Sequence, residues 1–246
     1  MDALRIGVVW VKYRLIIYRY KEGWDKPRYD TFIVEADPDE SVLDVIERIS
    51  LTQDKTLVFE HACHHGACGA CGMVINGVER LACITRIGDV AVGNTVVVEP
   101  LRGFRVISDL AVDKSRMFKH FEKVNPATLE KLDEPPVELP EYVVIPREKL
   151  FDCIECGICY SACPIANTLE EYMGPSALAI AYKTALETGD LKRILLADSK
   201  NGVWSCHAAF ECSVRCPVNF EPGEKIMKLR RMFLKSSLKL LLGGSR

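Results

Sequence analysis

Apolar and polar residues alternate with a period of two from Tyr13 to Tyr20 and again from Arg28 to Val34, and both runs are rich in aromatic and β-branched side chains. That period belongs to strands with one buried face, and the two runs predict a hairpin turning around Glu22 to Lys26. The period then changes. Val42, Leu43, Val45, Ile46 and Ile49 fall on one helical face, and Ser41, with Asp44 three residues later, marks where that helix begins. Thr56 to Phe59, Met73 to Ile75 and Val96 to Val98 read as further short strands, with Asn76-Gly77 as a type I′ turn. Beyond residue 110 the pattern becomes helical. Met117 to Val124, Ser176 to Thr188 and Leu191 to Ala197 are helix-like runs, and Gly189 is the expected stop of the second. From Glu224 the tail is basic and amphipathic, with Ile226, Leu229, Phe233 and Leu240 on one face and Lys225, Lys228, Arg231, Lys235 and Lys239 around it. Packing on its own domain and docking on a membrane surface or partner fit that tail equally well.

The stretch from 111 to 150 is charged and contains Pro126, Pro135, Pro136, Pro140 and Pro146, which is long for an internal loop and predicts a domain boundary. The expected organisation is a first domain over 1–113, a linker over 114–145 and a helical domain over 146–246. In a chain of 246 residues that is 48% apolar, both parts have ample material for a core.

Cysteine changes this picture most. There are 11, an odd number that argues against a closed disulfide framework. The apolar run from Ile6 to Val11 is too short for a signal peptide and lacks a small-residue cleavage site, so a reducing compartment is expected, where clustered thiols hold metal. No run of about 18 apolar residues predicts a membrane span. A formal charge of −2 gives no support to nucleic-acid binding.

The cysteines fall into groups. Cys63, Cys68, Cys71 and Cys83 have the x4, x2 spacing of plant-type 2Fe-2S ferredoxins, with the fourth after x11. Gly66, Gly69 and Gly72 lie between and beside them, where glycine permits positive φ and lets backbone N–H groups approach sulfur. Two strands, a helix and further strands around this loop make an α+β unit with a β-grasp layout. His64 and His65 raise a Rieske alternative, but only Cys63-x-His65 is present and the matching Cys-x2-His half is missing. Both histidines therefore read as polar loop surface.

The later group reads Cys153-x2-Cys156-x2-Cys159-x3-Cys163-Pro164, the run by which bacterial-type ferredoxins hold cubane clusters. Cys206, Cys212, Cys216 and Pro217 repeat the rhythm with Ala209 at one ligand position. In such pairs the Cys before Pro ligates the other cluster. Cys153, Cys156, Cys159 and Cys216 then form a 4Fe-4S site. Cys163, Cys206 and Cys212 form a site lacking one thiolate, which fits 3Fe-4S. Zinc is the competing reading of clustered cysteines, but these groups are larger than pairs and carry the Cys-Pro endings. The fold expected is a β-grasp 2Fe-2S ferredoxin-like domain followed by an α-helical bacterial-ferredoxin-like domain with seven iron atoms.

With these groups in place, the chain resembles the iron-sulfur subunits of succinate dehydrogenase and quinol:fumarate reductase over roughly residues 13 to 235. Beyond the cysteines, the resemblance rests on Leu81-Ala82-Cys83 with Thr85, Val98-Glu99-Pro100-Leu101, Val106-Ile107-Ser108-Asp109-Leu110, Val112-Asp113, Gly174-Pro175 and Cys206-His207. It implies an electron-transfer subunit with no substrate of its own, relaying single electrons between a flavoprotein partner that carries FAD and a quinone held by membrane-anchor subunits. The 2Fe-2S centre would face the flavin and the 3Fe-4S centre the quinone, with Pro164 and His207 as quinone contacts. The implied location is peripheral, on the cytoplasmic face of the cell membrane. The sequence agrees in lacking a Gly-x-Gly-x-x-Gly fingerprint for flavin or nicotinamide. It departs from the family at His64, where Arg is common, and after Pro164, where Ile165, Ala166, Asn167 and Thr168 stand in place of a common Trp. A related soluble complex, such as a thiol-linked fumarate reductase without quinone, therefore stays open, and a redox-inert zinc scaffold is the reading of a different class.

Overall fold

In the computed structural model, which describes residues 10–124, 153–188 and 195–241, the first alternating runs form β1 (Val11–Arg19) and β2 (Arg28–Ala36). They pair antiparallel from Val11 opposite Ala36 to Arg19 opposite Arg28. The period-two pattern puts Tyr13, Leu15 and Ile17 in the core, and Arg19 is in phase with them. Helix α1 (Val42–Thr52) covers the sheet with Val42, Leu43, Val45, Ile46 and Ile49, all fully buried. Its cap is the expected one: Ser41 Oγ accepts from Asp44 N at 3.1 Å.

β3 (Gly72–Ile75) and β4 (Val78–Leu81) form the Asn76-Gly77 hairpin, with φ of +48° and +79° at the two turn residues. A short helix α2 (Ile87–Val90) leads to β5 (Thr95–Glu99). The sheet order is β2-β1-β5-β3-β4, with β5 parallel to β1 and antiparallel to β3. A separate hairpin joins β6 (Arg105–Ser108) to β7 (Ala111–Asp113).

Thr56 to Phe59 is not a strand, contrary to its apolar pattern. It leaves a turn at Thr56 without regular structure and is pinned by a side chain in place of a ladder. Val58 N donates to Asp109 Oδ2 at 2.9 Å, and Leu110 N donates to Val58 O at 3.1 Å. Asp109 is fully buried, and its carboxylate also accepts from Tyr20 N at 3.0 Å and pairs with Arg19 at 3.1 Å and Lys21 at 3.3 Å. Arg19, 1% exposed, is surrounded further by Asp30 and Asp54. A charge at a core-facing position is thus matched by carboxylates on three other segments.

The second core is helical. α3 (Ser115–Val124), at the start of the stretch expected as a linker, buries Met117, Phe121 and Val124 in it. The remaining expected linker and Gly189 lie outside the described residues, and of Leu191 to Ala197 only 195–197 is described, as a short 3-10 turn. Of the first cysteine run, Cys159 lies in the short helix α4 (Ile158–Ser161) and Cys163 is the N-cap of α5 (Pro164–Thr168); of the second, Cys212 lies in α7 (Glu211–Val214). At the centre is α6 (Pro175–Thr188), buried all round from its start to Tyr182. α8 (Pro222–Leu241) packs on it through Ile226, Leu229 and Phe233, so the described tail is a packed helix. Lys225 is not on the basic surface expected of it. It is 4% exposed, donates to Phe220 O and lies over the Phe220 ring at 4.4 Å.

The two cores touch. Cys156 and Ile158 are buried within the first core, and Ser161 Oγ donates to the buried Glu79 carboxylate at 3.0 Å while accepting from Arg102 N at 2.8 Å.

Candidate iron-sulfur centres

Cys63, Cys68 and Cys71 sit on the loop that leaves the Asp109-pinned stretch and runs into β3, and Cys83 lies in the short 3-10 turn that follows β4. Cys68 is exposed, Cys63 is partly so, and Cys71 and Cys83 are buried. Backbone N–H groups converge on their sulfurs. Gly66 N donates to Cys83 Sγ at 3.2 Å, Ala67 N and Cys68 N donate to Cys63 Sγ at 3.3 Å, and Cys83 N donates to Cys71 Sγ at 3.4 Å. The local environment divides the thiols. The His65 N–H draws the Cys63 thiol down to about 6, whereas burial, with Cys71 alongside, pushes Cys83 up to about 12.

Two of the glycines have the conformation expected, with φ of +77° at Gly66 and +73° at Gly69. Gly69 has a second reason to be glycine: a Cβ there would lie 2.5 Å from Ile154 O and 2.9 Å from Cys156 Cβ. Gly72 is different. It already belongs to β3 and has no positive φ, because there the chain is extended within the sheet.

His64 and His65 are exposed, as polar loop residues should be. His64 is nonetheless tied down, with Nε2 3.0 Å from His61 Nδ1 and Nδ1 3.6 Å from Asp44 Oδ1. Its φ of +60° is a backbone state rare outside glycine.

In the second domain the remaining cysteines line two enclosed cavities. Cys153, Cys156, Cys159 and Cys216 line one, with Ser176, Pro217 and Phe220. Cys163, Cys206 and Cys212 line the other, with Tyr172, Pro175 and Ala209. The segments separate in sequence are thus exchanged in space, Cys216 joining the early run and Cys163 the late one. Pro164 and His207 are both exposed and both line the second of these cavities. Burial raises the thiols of Cys156 to about 11 and Cys212 to about 12, and raises those of Cys153, Cys159 and Cys163 as well. Such crowded, buried thiols hold their charge beside a bound metal cation, and the grouping of four and of three sulfurs around the two cavities fits iron-sulfur clusters.

The late run is braced by α8. Arg230 Nε donates to Val203 O at 2.7 Å and its Nη2 reaches Cys206 O, while Ser213 Oγ accepts from Gly223 N at 2.9 Å and donates to Glu224. Next to the cavities, Tyr172 and Ser176 carry buried hydroxyls that no motif announced. The neighbouring Gly174-Pro175 marks the place but not the chemistry.

Residues 14–119 match the family described as 2Fe-2S iron-sulfur cluster binding domain, and residues 149–220 match the 4Fe-4S dicluster domain. The chain is 38% identical over 236 residues to the fumarate reductase iron-sulfur subunit of Mycobacterium tuberculosis, covering 92% of this chain and 94% of that one. It is 31% identical over 234 residues to the mitochondrial succinate dehydrogenase [ubiquinone] iron-sulfur subunit of Dictyostelium discoideum, covering 87% of this chain and 80% of that one. Its fold matches a chain of the Mycobacterium smegmatis Sdh1 complex in the apo form with a TM-score of 0.81 at 26% identity, covering 91% and 96% of the two chains.

Proposed function

Because the chain belongs to the family of iron-sulfur subunits of succinate dehydrogenase and fumarate reductase, it is an electron-transfer subunit of an oxidoreductase complex, and we propose which of its residues hold each centre and what stands at either end. Cys63, Cys68, Cys71 and Cys83 hold 2Fe-2S, Cys153, Cys156, Cys159 and Cys216 hold 4Fe-4S, and Cys163, Cys206 and Cys212 hold 3Fe-4S. Bound clusters supply one-electron redox chemistry. The chain's own contribution is to set three cages in series, to aim N–H groups at their sulfurs and to keep water from the two inner ones.

The observation that carries this reading is contact between successive cages. Gly69, beside Cys68, lies against Ile154 and Cys156, and the adjacent residues Pro175 and Ser176 line the two inner cavities. Such a series has an end at each side, and we assign the exposed 2Fe-2S loop to a flavoprotein partner carrying FAD. The opposite cavity, with Pro164 and His207, is assigned to a quinone held by membrane-anchor subunits. Among the described residues no helix is long and apolar enough to cross a membrane. In this reading the subunit is peripheral, on the cytoplasmic face, and reaches the quinone through its partners.

A second reading keeps the series and replaces the quinone with a thiol-linked acceptor. It is favoured by the sequence after Pro164, which offers no aromatic side chain among Ile165, Ala166, Asn167 and Thr168. Purifying the native complex and identifying its polypeptides decides between them. The quinone reading expects a flavoprotein and membrane proteins, with succinate turnover coupled to quinone. A complex without membrane proteins that is inert to quinone refutes it. The isolated chain is expected not to turn over succinate; turnover by that chain alone refutes the relay.

A further inference from the structure

Two hydroxyls in the second domain are shut away from water with no nitrogen or oxygen partner. Tyr172 is 0% exposed and Ser176 is 2% exposed, and both Tyr172 Oη and Ser176 Oγ are orphaned. Burial of an O–H with nothing to donate to is unfavourable, and phenylalanine and alanine would fill the same space without that cost. What each residue does have nearby is sulfur. Tyr172 lines the cavity of Cys163, Cys206 and Cys212, close enough to all three thiols for their charge to act on its phenol. Ser176 lines the other cavity, with Cys153, Cys156, Cys159 and Cys216.

The two residues flank Gly174-Pro175, where the 14-residue helix α6 begins. Pro175 lines one cavity and Ser176 the other. The end of α6 that carries unpaired N–H groups and a partial positive charge therefore stands between the two cavities. A positive helix end and two buried donors all favour the more negative, reduced form of a neighbouring cluster.

Resting on the cluster assignment given above, we propose that Tyr172 Oη and Ser176 Oγ each donate a hydrogen bond to sulfur of the cluster in the cavity they line, and so raise the reduction potentials of the 3Fe-4S and 4Fe-4S centres respectively. Each hydroxyl acts on its own centre, so the pair sets the step in potential between them.

The test is an EPR-monitored redox titration of the intact complex, comparing wild type with Tyr172→Phe and Ser176→Ala at matched iron content. Ser176→Ala is expected to lower the ratio of reduced to oxidised 4Fe-4S about tenfold at a fixed poise, a downward shift of about 59 mV for a one-electron couple. The other two centres should not move. Tyr172→Phe is expected to do the same to the 3Fe-4S centre alone. In wild type exchanged into deuterium oxide, hyperfine spectroscopy should show an exchangeable deuteron coupled to each of these centres, and each variant should lose one. Unchanged potentials in fully loaded variants overturn the proposal. If a substitution costs a cluster, the wild-type spectrum decides alone, and the absence of coupled deuterons overturns it. A wild-type complex with no 3Fe-4S signal at all instead refutes the underlying cluster assignment.

Discussion

Asp109 is far from any cluster ligand in sequence, yet replacing it should loosen the first centre. Its carboxylate takes Tyr20 N on Oδ1, beside Arg19, and Val58 N on Oδ2, beside Lys21. The Val58 contact fixes the stretch from which the Cys63 loop departs. Asp109→Asn keeps the shape, and asparagine tolerates the φ of +47° found there. It cannot keep the bonding, because with the amide oxygen at one position the NH2 group must face an N–H donor and a cation at the other. Removing a charge-assisted hydrogen bond costs about 1.5–3 kcal/mol, and breaking a buried ion pair about 3–5 kcal/mol. Arg19 retains Asp30 and Asp54, so no orphaned buried cation remains. The low end applies, about 3 kcal/mol, or roughly a hundredfold rise in the population with the 56–60 stretch open. The assay follows release of the 2Fe-2S centre by visible circular dichroism in denaturant, with Lys12→Ala as a control that loses only the exposed pair with Glu35. If Asp109→Asn releases its cluster as slowly as that control, the carboxylate does not anchor the loop and the reasoning fails.

Ala209→Cys should supply the missing thiolate at the Cys163, Cys206 and Cys212 cavity, raising iron from about nine to about ten per chain and abolishing the oxidised 3Fe EPR signal; unchanged iron and signal would place position 209 away from the cluster. Gly174→Ala should be severely destabilising, by about 2–5 kcal/mol, because at φ of +86° its Cβ would meet the buried Tyr160 ring at 2.4 Å. Iron analysis should then show loss of both clusters of the second domain with the 2Fe-2S centre retained. Acid stability should depend on Asp54, whose carboxyl the Thr56 hydroxyl and the Arg19 guanidinium hold down to about 2. Its folded value lies below an unfolded value near 3.9, so its contribution is complete above about pH 4 and is lost as pH falls through 2. The difference in denaturation midpoint between wild type and Asp54→Asn should shrink over that window, and a pH-independent difference would contradict the assignment.

What could be read from the sequence was what depends on local spacing. Strand alternation, the Ser41 cap, the Asn76-Gly77 turn and the grouping of cysteines are properties of neighbours along the chain. The short apolar run from Thr56 to Phe59 misled because its partner is a carboxylate more than forty residues away, which no local pattern reveals. Lys225 misled for the opposite reason: helical periodicity places it beside charged neighbours, while the Phe220 carbonyl and ring draw it inward. The positive φ of Gly69 was expected, but its closeness to Ile154 and Cys156 was not, since that depends on how the two domains meet. Tyr172 and Ser176 were invisible for the same reason: an unpaired hydroxyl is a property of its surroundings.

The exchange of cysteines between the two inner cavities also bears on how the protein is made. Cys63 to Cys83 lie close together early in the chain, and the strands around them are complete soon afterwards. The wall formed by Cys153, Cys156 and Cys159 lacks a side until Cys216 has been synthesised, and Cys163 waits for Cys206 and Cys212. On the ribosome, the first cage can therefore be finished while the later thiols are still unpaired and open to oxidation or to the wrong metal. Translation of the late run ends that exposure for both cavities almost together, so their maturation should be nearly a single event, separate in time from that of the first.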